Sequence, residues 1–389
     1  MKGRKLLMIP GPIEFEPAVL SMMSKPTTSH VAPDFIESFG SCIEMMRKVW
    51  QCPSGQPFIV GGTGTFAMDM AGSNLIEPGD NTLVISSGFF GDRFSELLKR
   101  YGAKVDLLTP EIGNVVTTEE IENALKQKKY KLLTFTHVDT STSVKINPQP
   151  IAALGKKYDV LTILDGVCSV AGEEIKQEEW GIDIVLTASQ KAVGVPPGLA
   201  LLVASPKAME AFKNRKTPVG NYYADWGNWL SIMQAYEGRK PSYFGTPPVN
   251  LVFALEVSLK IILKEEIDKR FKRHNTIASS FRAAMKALNL KIIPANDAIA
   301  ANTLSAVYLP KDVAGTDFIS AVSAAGVIIA GGLLKDSKPY FRVGHMGSVN
   351  QTDILGTIGA IETALKKCKF PFTPNAGIDA AQQLLVVNY

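Results

Sequence analysis

The sequence predicts an α/β fold built on a doubly wound, mostly parallel sheet, and two observations carry that expectation. Short apolar runs alternate with segments of helical spacing from about residue 57 to 204. Continuous apolar runs suit strands buried on both faces, and strand–helix alternation is how parallel strands are connected. Several of these runs also end in polar residues: Ser86-Ser87-Gly88, His137-Val138-Asp139-Thr140-Ser141-Thr142, and Asp165. Ligands bind at the carboxyl ends of strands in open parallel sheets, so these residues belong on one edge of functional interest.

Taken in order, residues 1–17 form an irregular arm. Its apolar run at 6–9 is followed by Pro10-Gly11-Pro12 and Pro17, which keep the backbone extended or turned. Phe35, Phe39, Ile43, Met46, Val49 and Trp50 follow helical spacing over 34–50, with Asp34 as candidate N-cap. A strand over 57–60 meets the turn Gly61-Gly62-Thr63-Gly64-Thr65 and a helix from Phe66 to about 75. Strand, glycine-rich turn and helix N-terminus can cradle a phosphate, because backbone amides and the helix dipole face the anion; the same pattern also makes an ordinary tight turn. Strands over 82–86, 104–107, 132–137, 160–164, 182–186 and 199–204 follow, with helices over 90–101, 118–127 and 150–157 between the earlier ones.

Residues 214–248 are loop-rich and aromatic (Tyr222, Tyr223, Trp226, Trp229, Tyr236, Tyr243, Phe244), which suits a subunit interface, a substrate mouth, or the packing of a surface loop. A long helix over 249–273 then leads into a smaller α+β unit, with strands near 304–308, 327–329 and 340–344 and helices near 316–325 and 350–367. The expected division is an arm (1–17), a large domain (18–262), a small C-terminal domain (263–369) and a tail (370–389).

At 389 residues the chain can build two substantial cores, and its 46% hydrophobic and 20% charged content is that of a globular protein. A net charge of +4 without a basic block gives no reason to expect nucleic-acid binding. The four cysteines are scattered and the four histidines lack ligand spacing, so a reduced compartment and no structural metal are expected. No apolar stretch reaches membrane-spanning length. Pro10-Gly11-Pro12 comes too early for an ordinary targeting peptide, and Val387-Asn388-Tyr389 is not a peroxisomal address, so the cytoplasm is the default.

The chemistry concentrates at Thr187-Ala188-Ser189-Gln190-Lys191-Ala192, closed by Val195-Pro196-Pro197-Gly198. An apolar run delivers one lysine into small and hydroxyl residues, where poor solvation favours the free amine as a nucleophile toward an aldehyde. A surface lysine after a strand would read the same way in isolation. The difference is Asp165, at the end of the preceding apolar strand 160–164. A carboxylate there can hold a pyridine nitrogen protonated, making the ring an electron sink, while Lys191 carries the aldehyde carbon. This is the arrangement that pyridoxal 5'-phosphate requires.

Pro10-Gly11-Pro12, Gly62-Thr63-Gly64-Thr65, Gly88-Phe89-Phe90-Gly91, Thr136-His137-Val138-Asp139-Thr140-Ser141-Thr142, Leu164-Asp165, Ser189-Gln190-Lys191-Ala192 and Phe341-Arg342-Val343-Gly344 occur in this order. With them the chain resembles the class V aminotransferases, pyridoxal phosphate enzymes of fold type I, and within them the alanine–glyoxylate and serine–glyoxylate group. The Thr-His-Val-Asp-Thr-Ser-Thr and Gly-His-Met-Gly strings are similar to the fungal-type alanine–glyoxylate branch. The resemblance covers nearly all of residues 5–367. It implies that Lys191 binds the cofactor and moves the substrate proton, that Asp165 pairs with the pyridinium, and that Thr63, Gly64 and Thr65 hold the phosphate with Gln190 nearby. It places Thr140 beside the ring and Arg342 on the substrate α-carboxylate, a task for which a planar donor fork is suited. Tyr243 and Thr246 match positions that reach the phosphate from a neighbouring subunit, implying a homodimer. The ring-stacking position is Phe90 here where relatives often have Trp, and Thr65 replaces a larger polar residue of some relatives.

Three other readings fit parts of the sequence. Gly62-Thr63-Gly64-Thr65-Phe66-Ala67 fits the dinucleotide fingerprint of an NAD-dependent dehydrogenase, but the second strand ends in Ser-Ser-Gly without the acid that binds ribose. A lapsed, non-catalytic homologue would have no reason to keep Lys191, Asp165 and Arg342 together. Within the family, serine–glyoxylate or serine–pyruvate transamination differs from the alanine reaction by one hydroxyl, which a pocket discriminates weakly. A phosphonate substrate would call for further cationic contacts. The expected activity is transamination of a small L-amino acid, alanine first, with glyoxylate.

Overall fold

The computed structural model describes residues 4–334 and 337–388; residues 1–3 of the arm and Tyr389 of the tail lie outside the described residues. The strands are β1 (Leu6–Leu7), β2 (Gln56–Gly61), β3 (Asn81–Ile85), β4 (Lys104–Leu108), β5 (Leu132–Thr136), β6 (Leu161–Asp165), β7 (Ile184–Ala188), β8 (Leu199–Ala204), β9 (Leu304–Tyr308), β10 (Val327–Ile328), β11 (Ala330–Gly331) and β12 (Tyr340–Gly344). Seven of them make the central sheet, in the order β2-β8-β7-β6-β5-β3-β4. Pairing is parallel from β7 through β4, and β8 alone runs against its neighbours. The sheet is therefore mostly parallel, as the alternation of apolar runs predicts.

Strands β5 to β8 are buried along their whole length, which explains why they read as unbroken apolar runs. The order reverses at β3, which pairs with both β4 and β5, so the crevice at these strand ends is a topological switch point. Capping sets the crossover helices. Thr117 and Glu120 form a capping box on Thr118–Gln127, and Asn147 caps Pro148–Lys157 through the Gln149 amide at 3.2 Å.

The apolar interior forms two large clusters. One runs from Val19 to Ile262 around the central sheet. The other gathers Met8 with residues from Ile277 to Leu385 around the antiparallel sheet β11-β12-β9. The arm links them. Leu6–Leu7 pairs with Val327–Ile328, the Gly344 amide donates to the Met8 carbonyl at 2.8 Å, and the Ile13 amide donates to Gln190 at 3.2 Å.

Four expectations need correction. The helix expected over 249–273 is two helices, Val249–Glu265 and Ile267–Ala287, broken at Glu266 with φ of 67°. Apolar periodicity continues through the break. What holds it is tertiary: the Glu265 carboxylate accepts from Arg270 at 2.6 Å and Arg273 at 2.6 and 3.0 Å, and these arginines also donate to carbonyls of Ala171, Ala192, Gly347 and Val349. The aromatic segment contains a helix, Trp226–Glu237, capped by Asp225, which buries Trp226, Trp229 and Tyr236 and leaves Tyr222 and Tyr243 exposed. The segment set apart as a tail carries the helix Ala376–Asn388, whose Ala381 and Leu385 join the second cluster. Asp34 lies in the first turn of Pro33–Val49 behind Ala32 and is not its cap. No helix among the described residues is long and apolar enough to cross a membrane.

Candidate active site

Strands β6 and β7 pair with Asp165 opposite Leu186. Beyond that register the Gly166 amide still donates to Leu186 at 2.8 Å, and the Thr187 hydroxyl to the Gly166 carbonyl at 3.1 Å, so the two strand ends leave the sheet side by side. The chain after β7 then closes on itself. Ser189 donates from its hydroxyl to the Pro196 carbonyl at 2.8 Å, the Val195 amide returns to Ser189 at 2.9 Å, and the Gly194 amide to Lys191 at 2.8 Å. The proline and glycine residues that interrupt the apolar pattern in the sequence build this loop, and it turns Lys191 inward.

Lys191 is buried, and its Nζ donates to the Pro10 carbonyl of the arm. Gly11, at φ +126°, lies so close that a Cβ there would stand 2.6 Å from the Lys191 Nζ. Asp165 is buried at the end of β6, accepting from the Val167 amide at 3.0 Å and the Thr136 hydroxyl at 3.4 Å. Burial pushes its pKa up to about 6, with the Asp139 charge adding to the rise and the Val167 amide, Thr136 and Lys191 working against it.

Thr63, Gly64, Thr65, Phe90, Thr140, Asp165, Gln190 and Lys191, all singled out in the sequence, line one cavity of about 190 Å³. Thr63 is the N-cap of Gly64–Leu75, accepting from the Phe66 amide at 3.3 Å. Gly64 packs where a Cβ would be 3.0 Å from Val167 and 3.3 Å from Ala188, which sets the helix N-terminus against the ends of β6 and β7. Gln190 brings a side-chain oxygen, buried with no protein partner.

Phe90 opens the helix Phe89–Arg100 and is aimed by Asp139. One Asp139 oxygen accepts from the Phe90 and Gly91 amides at 2.9 and 3.3 Å, the other from the Ser141 amide and hydroxyl at 2.9 and 2.5 Å. Asp139 thus serves a helix terminus, as does an N-cap. His137 lies outside the cavity lining, and burial holds its pKa down to about 3.

Arg342 does not line the cavity. It is buried on β12 and donates to the carbonyls of Thr140 at 3.1 Å and Gly331 at 2.8 Å, so it meets the site through Thr140. Burial lowers its pKa from the ordinary arginine value, and among the described residues no carboxylate pairs with it. The Thr140 hydroxyl contacts the Cys168 thiol at 2.7 Å. Tyr243 and Thr246 are exposed and lie outside this cavity. Sequence reasoning overlooked Pro10 against Lys191, Thr136 against Asp165, and Arg93, which lines the cavity and donates to the Thr65 hydroxyl at 3.2 Å. Only Arg93 left a local signal, three residues after Phe90 on the same helix face.

A model of the family "Aminotransferase class-V" matches residues 21–349. The chain belongs to the class V aminotransferases. Among the relatives of this class V enzyme, alanine–glyoxylate aminotransferase 1 of Saccharomyces cerevisiae is 39% identical over 364 residues, covering 89% of this chain and 93% of that one. Serine–glyoxylate aminotransferase of Arabidopsis thaliana is 29% identical, over 98% and 96% of the two chains. The crystal structure of ureidoglycine–glyoxylate aminotransferase from Bacillus subtilis superposes with a TM-score of 0.93 at 25% identity, covering 99% of each chain.

Class V aminotransferases are pyridoxal 5'-phosphate enzymes, and the cavity fits that group on its own terms. A buried carboxylate with a raised pKa offers one end to a cationic ring nitrogen. A helix N-terminus with two threonine hydroxyls offers the other end to a phosphate. A lysine amine stands in the same cavity, with an aromatic face at its wall.

Proposed function

We propose that this aminotransferase passes the amino group of a small L-amino acid, L-alanine foremost, to glyoxylate, giving pyruvate and glycine. The observation that carries the reading is the placement of Lys191 and Asp165 in one cavity with the N-terminus of Gly64–Leu75. The three relatives named above differ in amino donor and share glyoxylate in their names, and the alanine enzyme is the most similar of them to this chain. The serine–glyoxylate relative keeps L-serine as the second candidate donor.

In this reading Thr63, Gly64, Thr65 and Gln190 hold the phosphate, Asp165 the ring nitrogen, and Phe90 and Thr140 flank the ring. Bound there, the cofactor supplies the electron sink that lets the bond between substrate Cα and hydrogen break as a proton. Lys191 holds the cofactor and, when its amine is released, takes and returns that proton. Arg342 orients the substrate through its α-carboxylate; binding that anion would supply the negative partner its buried guanidinium lacks. Tyr243 and Thr246 complete the phosphate site from a second copy of the chain, so the working form is a homodimer.

Titration of the purified, cofactor-loaded protein tests the donor. L-alanine should bleach the visible absorbance of the bound cofactor and glyoxylate should restore it. A band that ignores alanine and responds to serine would replace the donor. Absence of any band after adding pyridoxal phosphate would sink the cofactor site itself. Lys191→Ala is expected to abolish turnover while far-UV circular dichroism is unchanged.

A further inference from the structure

Arg93 sits on the first turns of Phe89–Arg100, half-buried, where it lines the same cavity as Lys191. Its guanidinium lies 5.0 Å from the centre of the Phe90 ring and 4.8 Å from that of Phe89, and one nitrogen donates to the Thr65 hydroxyl at 3.2 Å. A cation over aromatic faces is held in place at small cost, but ring faces do not neutralise it. Among the described residues no carboxylate pairs with Arg93, although surface arginines elsewhere, such as Arg239, collect two. A planar five-donor cation lining a cavity, with one neutral acceptor and no anion, can receive a tetrahedral oxyanion.

The position of Thr65 says which anion. Thr65 is the second residue of Gly64–Leu75, next but one to the cap Thr63, and Thr63, Gly64 and Thr65 all line the cavity, so this helix N-terminus borders it. Helix dipole and amides alone offset about half an elementary charge. A phosphate monoester carries between one and two negative charges at neutral pH. Lys191 is the other basic side chain lining the cavity, and in the cofactor reading its nitrogen would be taken up by the aldehyde.

We infer that Arg93 is a cofactor-binding residue, pairing with the phosphate of pyridoxal 5'-phosphate alongside Thr65 while it stays beside the Phe90 ring. The inference rests on the cofactor reading above and adds to it the residue that supplies the charge. It also ties the phosphate to the ring-flanking helix, since one side chain would touch both ends of the bound cofactor's surroundings.

The test compares pyridoxal 5'-phosphate with pyridoxal, which lacks the phosphate, on the full-length apoenzyme, with affinity read from cofactor absorbance and quenching of tryptophan fluorescence. Arg93→Gln keeps a shorter polar side chain and removes the charge. Pyridoxal phosphate should bind about 10–100-fold more weakly, the range of a lost charge-assisted pair, while pyridoxal affinity stays within about twofold. Arg93→Lys should recover part of the loss, being a point charge without the fork. An equal fall for both ligands would overturn the inference and leave Arg93 as a support for Phe90. Unchanged affinity for both, with a raised KM for a dicarboxylic donor, would overturn it in favour of a substrate contact. Failure of the unsubstituted protein to bind either ligand would instead dispose of the cofactor reading.

Discussion

Lys191 is held from the arm as well as from its own loop. Its Nζ meets the Pro10 carbonyl, and Gly11 leaves no room for a side chain beside it. Gly11→Ala should therefore displace the lysine and lower turnover by roughly 100-fold, the cost typical of an ångström-scale misplacement of a reacting group. Steady-state rates on a variant of unchanged circular dichroism measure this, and wild-type turnover would refute the close approach. Asp165 offers a second check, through pH. Its folded-state pKa near 6 exceeds the ordinary 3.8, so the folded, cofactor-free protein holds this proton more tightly than the unfolded chain. The contribution favours folding at pH 4 and is lost as pH rises through 6. Asp165→Asn removes that loss. The cofactor-free variant should exceed the wild type in stability by about 1–3 kcal/mol at pH 7–8, with the gain vanishing near pH 4 and with turnover severely reduced. Urea midpoints across pH 4–8 give the comparison; a pH-independent difference would contradict the assigned shift.

At the level of elements, the loop after β5 and the helix after β3 act as one unit through Asp139. Four hydrogen bonds from Phe90, Gly91 and Ser141 converge on this buried carboxylate. Asp139→Ala would leave the helix N-terminus uncapped and the Phe90 backbone unanchored. A loss of about 1–3 kcal/mol is expected in denaturant titrations, with weakened binding of pyridoxal and pyridoxal phosphate alike, since ring placement suffers and the phosphate contacts do not. Selective loss of pyridoxal phosphate would instead place Asp139's influence on the phosphate end. The elements hardest to read were those fixed by distant partners. The break at Glu266 is held where Arg270 and Arg273, paired with Glu265, also bind the carbonyls of Ala171, Ala192, Gly347 and Val349, and Trp226–Glu237 hides among aromatics that look like loop residues until their burial is known.

At the scale of the molecule, the arm ties the two apolar clusters together by pairing with β10 and reaching β12 and Gln190, and its Pro10 carbonyl reaches Lys191. The exposed Tyr243 and Thr246 add a further expectation, that a second copy completes each site. Co-expressing Lys191→Ala chains with chains carrying both Tyr243→Phe and Thr246→Ala should yield hybrids in which one of the two sites is fully native, and activity should reappear that neither homodimer shows. If the purified mixture contains hybrids but stays as inactive as its parents, the shared site is wrong.

By itself the sequence determined the parallel sheet, the Lys191 and Asp165 pair and the glycine-rich helix start. Each is written in a local pattern: a run of apolar residues that only a doubly buried strand requires, ended by the residue that carries chemistry. Arg342 was legible only through the order of motifs, since nothing local separates a strand arginine that binds substrate from one at the surface. Tertiary structure alone decided the contact of Pro10 with Lys191, the place of Arg93 between Phe90 and Thr65, and the docking of Ala376–Asn388 on the second cluster. These join residues far apart in the chain, or turn on which way a side chain leans, and hydrophobic period carries neither kind of information.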